Sequence, residues 1–147
     1  MRVLIDTNVL ISYLLLSEEG GVIRTIIRAL YESRYKLLAP EPLLNELITV
    51  VRNKRRLSER ISPAVLESFV AALRGYAERL DPIEERYPTV TRDIKDDYLL
   101  AYALIGAADY LVTGDKDLLA LSSQVLGMEI VTPAQFSEIL ARHDLRQ

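Results

Sequence analysis

The sequence predicts an α/β fold: a central parallel sheet of four or five strands between two helical layers, a three-layer α/β/α arrangement. Three observations carry this. Short apolar runs at Val3–Ile5, Lys36–Ala39, Tyr110–Val112 and Met128–Val131 alternate with longer stretches of helical periodicity, the pattern of βαβ units. The runs are too brief for helices and mostly apolar, as in strands covered on both faces. Acidic and polar residues follow the first and third of them, where open α/β sheets place their sites. Right-handed crossovers then leave few topologies. Residues 1–147 read as a single domain, without internal repeat, low-complexity tract or flexible linker.

Taken in order, Val3–Ile5 is a first strand ended by Asp6-Thr7-Asn8, and Val9–Leu16 is helical. Ser17–Gly21 reads as a turn. Val22, Ile23, Ile26, Ile27 and Leu30 then recur at helical spacing to about Ser33. Lys36–Ala39 is the second strand, and Pro40-Glu41-Pro42 opens a third helix, since proline is tolerated in a first helical turn. Leu43, Leu47 and Val50 form its apolar stripe, and Glu46 falls on that inward face. A carboxylate there requires a polar pocket or a cation. Ser62-Pro63 starts a long helix marked by Val65, Leu66, Phe69, Val70, Leu73, Tyr76 and Leu80. Asp81–Thr91 is a polar link with a short strand expected near Ile83. Tyr98–Ala107 is apolar nearly all round and reads as a buried helix, with Gly106 as a stop signal. Tyr110–Val112 is a strand, Leu118–Leu121 a short helix, and Met128–Val131 the last strand. Thr132-Pro133 opens a final helix carrying Phe136, Ile139 and Leu140.

Composition narrows the function. Half the residues are hydrophobic and 27% are charged, the profile of an ordinary globular domain. No apolar run has the ~20 residues of a membrane span and no signal-peptide pattern precedes the first strand, so a cytoplasmic protein with no membrane partner is expected. The absence of cysteine excludes disulfides and thiolate metal sites. The net charge of −3 argues, by itself, against a nucleic-acid partner.

The acids reverse that argument. Asp6 and Asp115 each follow an apolar strand, Asp97 stands at a helix start and Glu46 faces inward, so four carboxylates can converge. Like charges a few ångströms apart in a partly buried site need protons or a cation, and carboxylate oxygens favour Mg²⁺ or Mn²⁺. A divalent ion in an acidic cleft suits phosphodiester hydrolysis by an activated water. Singly, Asp6, Asp97 and Asp115 also read as helix caps or first-turn acids, and Glu46 as a partly exposed edge residue.

As an ordered set, Asp6-Thr7-Asn8 after a strand, Glu46 in the third helix, Asp97 with Ala101 four residues on, and Thr113-Gly114-Asp115-Lys116-Asp117 after a strand resemble the PIN-domain nucleases. The likeness is to the toxin-component branch of type II toxin–antitoxin systems, similar to virulence-associated protein C toxins. The resemblance implies a PIN-like fold and an endoribonuclease using Mg²⁺ or Mn²⁺, with Asp6, Glu46, Asp97 and Asp115 as catalytic, metal-holding acids and Asp117 as a fifth ligand. Thr7, Asn8 and Thr113 would support the acids or serve the fold, and Asp96 and Asp93 would add nearby charge. It further implies an RNA substrate, a protein antitoxin and a homodimer. Kept beside it are a housekeeping PIN nuclease in RNA processing, a noncatalytic RNA- or protein-binding module on the same fold, and a receiver-like signalling module.

Weaker signals remain. Arg52, Lys54, Arg55 and Arg56, with Arg60, read either as a track for RNA phosphates or as a solvated helix end complementing the helix dipole. Tyr98 and Tyr102, at i and i+4 beside the acids, read either as core packing, the favoured reading, or as a border of the site, and His143 reads as a surface residue.

Overall fold

The computed structural model describes residues 1–16, 21–78, 80 and 94–145, without the side chains of 94–97. Its strands are β1 (Arg2–Ile5), β2 (Lys36–Leu38), β3 (Ala77–Glu78), β4 (Tyr110–Val112) and β5 (Glu129–Val131). The helices are α1 (Thr7–Leu15), α2 (Val22–Tyr31), α3 (Glu41–Asn53), α4 (Arg55–Ser58), α5 (Pro63–Tyr76), α6 (Ile94–Ile105), α7 (Lys116–Leu119) and α8 (Pro133–Leu145). All five strands run parallel in the order β3-β2-β1-β4-β5. The chain steps outward from β1 through β2 to β3, then returns to the other side of β1 as β4 and β5. With right-handed crossovers, that reversal puts α6 on the opposite face from α1–α5 and makes the three layers. Among the described residues no helix is long and apolar enough to cross a membrane.

The predicted strands become strands because their side chains are buried on both faces: Val3, Leu4, Ile5, Leu37, Leu38, Leu111, Val112, Ile130 and Val131 are all core. Local signals set the helix starts. Ser62 accepts from the Val65 amide at 3.2 Å, with Pro63 at the first helical position. Before α8, the Thr132 hydroxyl accepts from the Gln135 amide and Gln135 accepts from the Thr132 amide, a reciprocal capping box.

Four expectations are corrected. The helix after Pro63 stops at Tyr76 rather than reaching Leu80, because Ala77–Glu78 is drawn into the sheet beside β2. Val65 and Tyr76 are exposed, so the buried stripe of α5 is Leu66, Phe69, Val70 and Leu73. The helix expected at Tyr98–Ala107 begins at Ile94 and ends at Ile105, and its last two residues, Leu104 and Ile105, face solvent. α7 spans Lys116–Leu119, two residues earlier than read, because Asp115 caps it; a 3-10 turn at Ser122–Gln124 follows. The turn read at Ser17–Gly21 (residues 17–20), the link at Asp81–Thr91 and the strand near Ile83 lie outside the described residues.

Position 106, just after α6, has no room for a side chain. A Cβ there would stand 2.7 Å from Leu38 Cδ1 and 2.9 Å from Leu80 Cδ1. The left-handed residue just beyond the helix is instead Ala107, at φ 51°. Nearby, Arg2 ties the amino-terminal edge of the sheet together. Its guanidinium donates to Glu78 at 2.6 Å and to the Gly106 carbonyl at 2.8 Å, and its amide donates to Asp109 at 2.8 Å. The functional residues gather at the opposite edge.

Candidate active site

The β1–β4 register dictates the first contact of the site. Ile5 pairs with Val112, so Asp6 and Thr113 come next, side by side and on the same side of the sheet. The Asp6 amide donates to Val112 O at 2.9 Å, and the Thr113 amide to Val131 O at 2.9 Å. The Thr113 hydroxyl then donates to Asp6 Oδ2 at 2.8 Å and accepts from the Asp115 amide at 3.0 Å. One fully buried threonine thus links the two acid-bearing turns. This is the point where the strand order reverses, the usual place for a site in an open α/β sheet.

Asp6 is only 6% exposed. It caps α1, accepting from the Asn8 amide at 3.4 Å, so the contact from Asn8 is made by its backbone while its side chain is exposed. Burial pushes the Asp6 carboxyl above the usual carboxylate range. The bonds from Thr113 and Asn8 oppose that rise, and the negative charges of Glu46 and Asp115 add to it. Glu46 and Asp115 therefore act electrostatically on Asp6.

Glu46 is half-buried on α3, where Leu43 and Leu47 turn inward. Its Oε2 accepts from the Thr7 hydroxyl at 3.2 Å and from the Tyr98 hydroxyl. Tyr98, for which packing was the favoured reading, turns its hydroxyl to Glu46. Burial, followed by the bond and charge of Glu46, drives its hydroxyl pKa upward, so it stays protonated as a donor. The one signal in the sequence was its place directly after Asp97.

Asp115 caps α7, accepting from the Asp117 amide at 2.8 Å and from the Leu118 amide at 3.4 Å. Asp6 and Asp115 are thus helix caps as well as members of the acid group. Asp117 is exposed in the first turn of α7. Asp97 is the fourth residue of α6, inside the helix, so it is not the cap. The side chains of Asp96 and Asp97, and all of Asp93, lie outside the described residues. Among the described residues no three acidic or histidine side chains close into a metal-holding group.

The donor chemistry nonetheless fits a hard divalent cation. Asp6, Glu46 and Asp115 offer oxygen alone, and a buried carboxylate in the field of two more is disfavoured until a proton or cation compensates it. The basic run lies on the surface at the end of α3 and on α4. Arg52 pairs with Glu67 at 3.6 Å and Arg55 with Glu59 at 3.0 Å, while the Arg60 guanidinium donates to the Leu15 carbonyl. Lys54 and Arg56 are exposed.

No curated protein matches the chain. The sequence profile of the PIN domain matches residues 2–117, a span holding β1 to β4, Thr7, Thr113 and all the acids named above. With that match over most of its length, the chain belongs to the PIN domain family, a nuclease-type fold.

Proposed function

We propose that this protein is an endoribonuclease that hydrolyses RNA phosphodiester bonds with Mg²⁺ or Mn²⁺, and that it acts as the toxin of a toxin–antitoxin pair. The observation that carries the reading is the buried Asp6 carboxylate, held by Thr113 at the β1–β4 reversal in the field of Glu46 and Asp115. PIN domains are typically nucleases and commonly use these ions. Asp6, Glu46, Asp97 and Asp115 would hold the ion, with Asp117 at the rim. When bound, the ion lowers the pKa of the attacking water and offsets the charge on the phosphate and leaving oxygen. The chain's own groups do the positioning. Thr113 holds Asp6, Thr7 and Tyr98 hold Glu46, and the Asp117 and Leu118 amides hold Asp115. Lys54 and Arg56, with Arg52 and Arg55, would track the RNA backbone.

The test uses labelled single-stranded RNA with Mn²⁺, with Mg²⁺ and with chelator. Cleavage by the wild type, lost in chelator and in Asp6→Asn and Asp115→Asn, supports the nuclease. RNA left intact under all three conditions overturns it. Induction in growing cells tests the toxin role: arrest that requires Asp6 supports it, and unchanged growth by an RNA-cleaving protein leaves an RNA-processing nuclease instead.

A further inference from the structure

Unlike Asp6 and Asp115, Glu46 is placed by neither a strand end nor a helix cap. It projects from the second turn of α3, and a free glutamate there samples several rotamers. Two hydroxyls converge on it, and both donate to the same oxygen, Oε2. One comes from Thr7, the first residue of α1 and only 3% exposed. The other comes from Tyr98 on α6, across the sheet from α3. Hydroxyl donors to an ionised carboxylate make charge-assisted bonds, shorter and stronger than neutral ones. Two such donors from different elements fix both the reach of the side chain and the rotation of its carboxylate.

Tyr98 is itself held. One turn further along α6, Tyr102 is buried at 3% exposure and meets the Tyr98 ring edge-to-face, with centroids 6.1 Å apart and planes at 82°. A ring serving packing alone would do as well as phenylalanine. The hydroxyl adds only the bonds at its tip.

We propose that Tyr98 is a positioning residue: its hydroxyl, with that of Thr7, sets the Glu46 carboxylate in the orientation the metal requires. The inference rests on the reading of the site as a metal-dependent nuclease. Partners that orient a ligand carboxylate typically carry about ten- to a hundredfold in metal affinity or activity.

The experiment compares the wild type, Tyr98→Phe, Glu46→Gln and the double variant. Mn²⁺ binding is followed by calorimetry, melting in chelator by circular dichroism, and RNA cleavage as a function of Mn²⁺ concentration. Tyr98→Phe keeps the ring and its contact with Tyr102, so in chelator its melting should fall by no more than the loss of the one hydroxyl bond to Glu46. Its Mn²⁺ affinity should fall about ten- to a hundredfold, with half-maximal cleavage moving to higher Mn²⁺ by a similar factor. In the Glu46→Gln background the same change should weaken Mn²⁺ binding no further. A Tyr98→Phe protein that binds Mn²⁺ like the wild type overturns the inference and leaves the nuclease reading standing. Equal weakening in both backgrounds also overturns it, because Tyr98 would then act without Glu46. A wild type that neither binds Mn²⁺ nor cuts RNA overturns the nuclease reading and the positioning role together.

Discussion

Thr113→Val tests whether the strand beside Asp6 holds it in place. Thr113 is 0% exposed, and its one hydroxyl both donates to Asp6 and accepts from the Asp115 amide. Valine has nearly the same shape, so packing survives while both bonds are lost. A bond to a charged partner contributes about 1.5–3 kcal/mol, and the amide left without its acceptor costs about 1 kcal/mol. The added buried methyl offsets about 0.8 kcal/mol. The net loss is about 2–3 kcal/mol, or a Tm lower by about 5–10 °C for a chain of this size. The change also carries a pH signature. The Thr113 bond favours ionised Asp6, so removing it lifts a carboxyl that burial already holds high. A raised folded pKa gives stability at low pH that is lost as pH rises through the folded value. In the valine variant that loss should extend to higher pH. Melts in chelator from about pH 4 to about pH 8 measure both effects. A variant that melts with the wild type and keeps its pH profile refutes the account of how Asp6 is held.

Three further outcomes are expected. Asp6→Asn keeps a capping side chain but removes the buried charge. Its chelator melts should therefore lack the decline that wild-type Asp6 contributes between the ordinary aspartate pKa and its raised one, and a variant with the wild-type slope would show that Asp6 does not titrate high. Gly106→Ala should cost about 1–3 kcal/mol in denaturant titrations, because Leu38 and Leu80 must both move; unchanged stability would mean that those two side chains yield freely. On an inactive Asp6→Asn background, Lys54→Ala and Arg56→Ala should each flatten the log–log salt dependence of single-stranded RNA affinity by roughly 0.7. Arg52→Ala and Arg55→Ala should do less, since Glu67 and Glu59 already pair with them, and an unchanged slope throughout would assign the run to a solvated helix end.

Four of the five strands were legible because each is a short, mostly apolar run whose apolar side chains are buried on both faces, and the inward setting of Glu46 was legible because a carboxylate inside an apolar stripe breaks the helical pattern. β3 was not legible. Ala77–Glu78 is too short and too polar to signal a strand, and its pairing with Leu37 and Leu38 is a tertiary event. The early start of α6 was hidden because the apolar run begins only at Tyr98 and Asp97 read as the helix start, whereas the backbone places Ile94 to Asp97 in the first helical turn. Tyr98 stayed ambiguous because a tyrosine at helical spacing from another tyrosine has the same pattern whether its hydroxyl meets solvent or an acid. Only the fold, by bringing α3 and α6 together, decides between them.

The two edges of the sheet divide the work of this protein. At the amino-terminal edge Arg2 joins Glu78, Asp109 and the Gly106 carbonyl, and Gly106 lets α6 approach β2. These interactions lower the free energy of the folded chain without a ligand. At the carboxyl edge the fold buries an acid whose charged form is disfavoured, and faces it with two more acids. The net charge of −3 is thus no guide to the partner, because the negative charge that matters is concentrated where a cation would reverse its effect on a phosphate. It follows that changes at Arg2 or Gly106 should alter melting with little effect on the response to Mn²⁺. Changes at Asp6, Glu46 or Tyr98 should alter the response to Mn²⁺ far more than melting in chelator. A protein whose metal response moved with Gly106 and ignored Asp6 would have its site at the wrong end of the sheet.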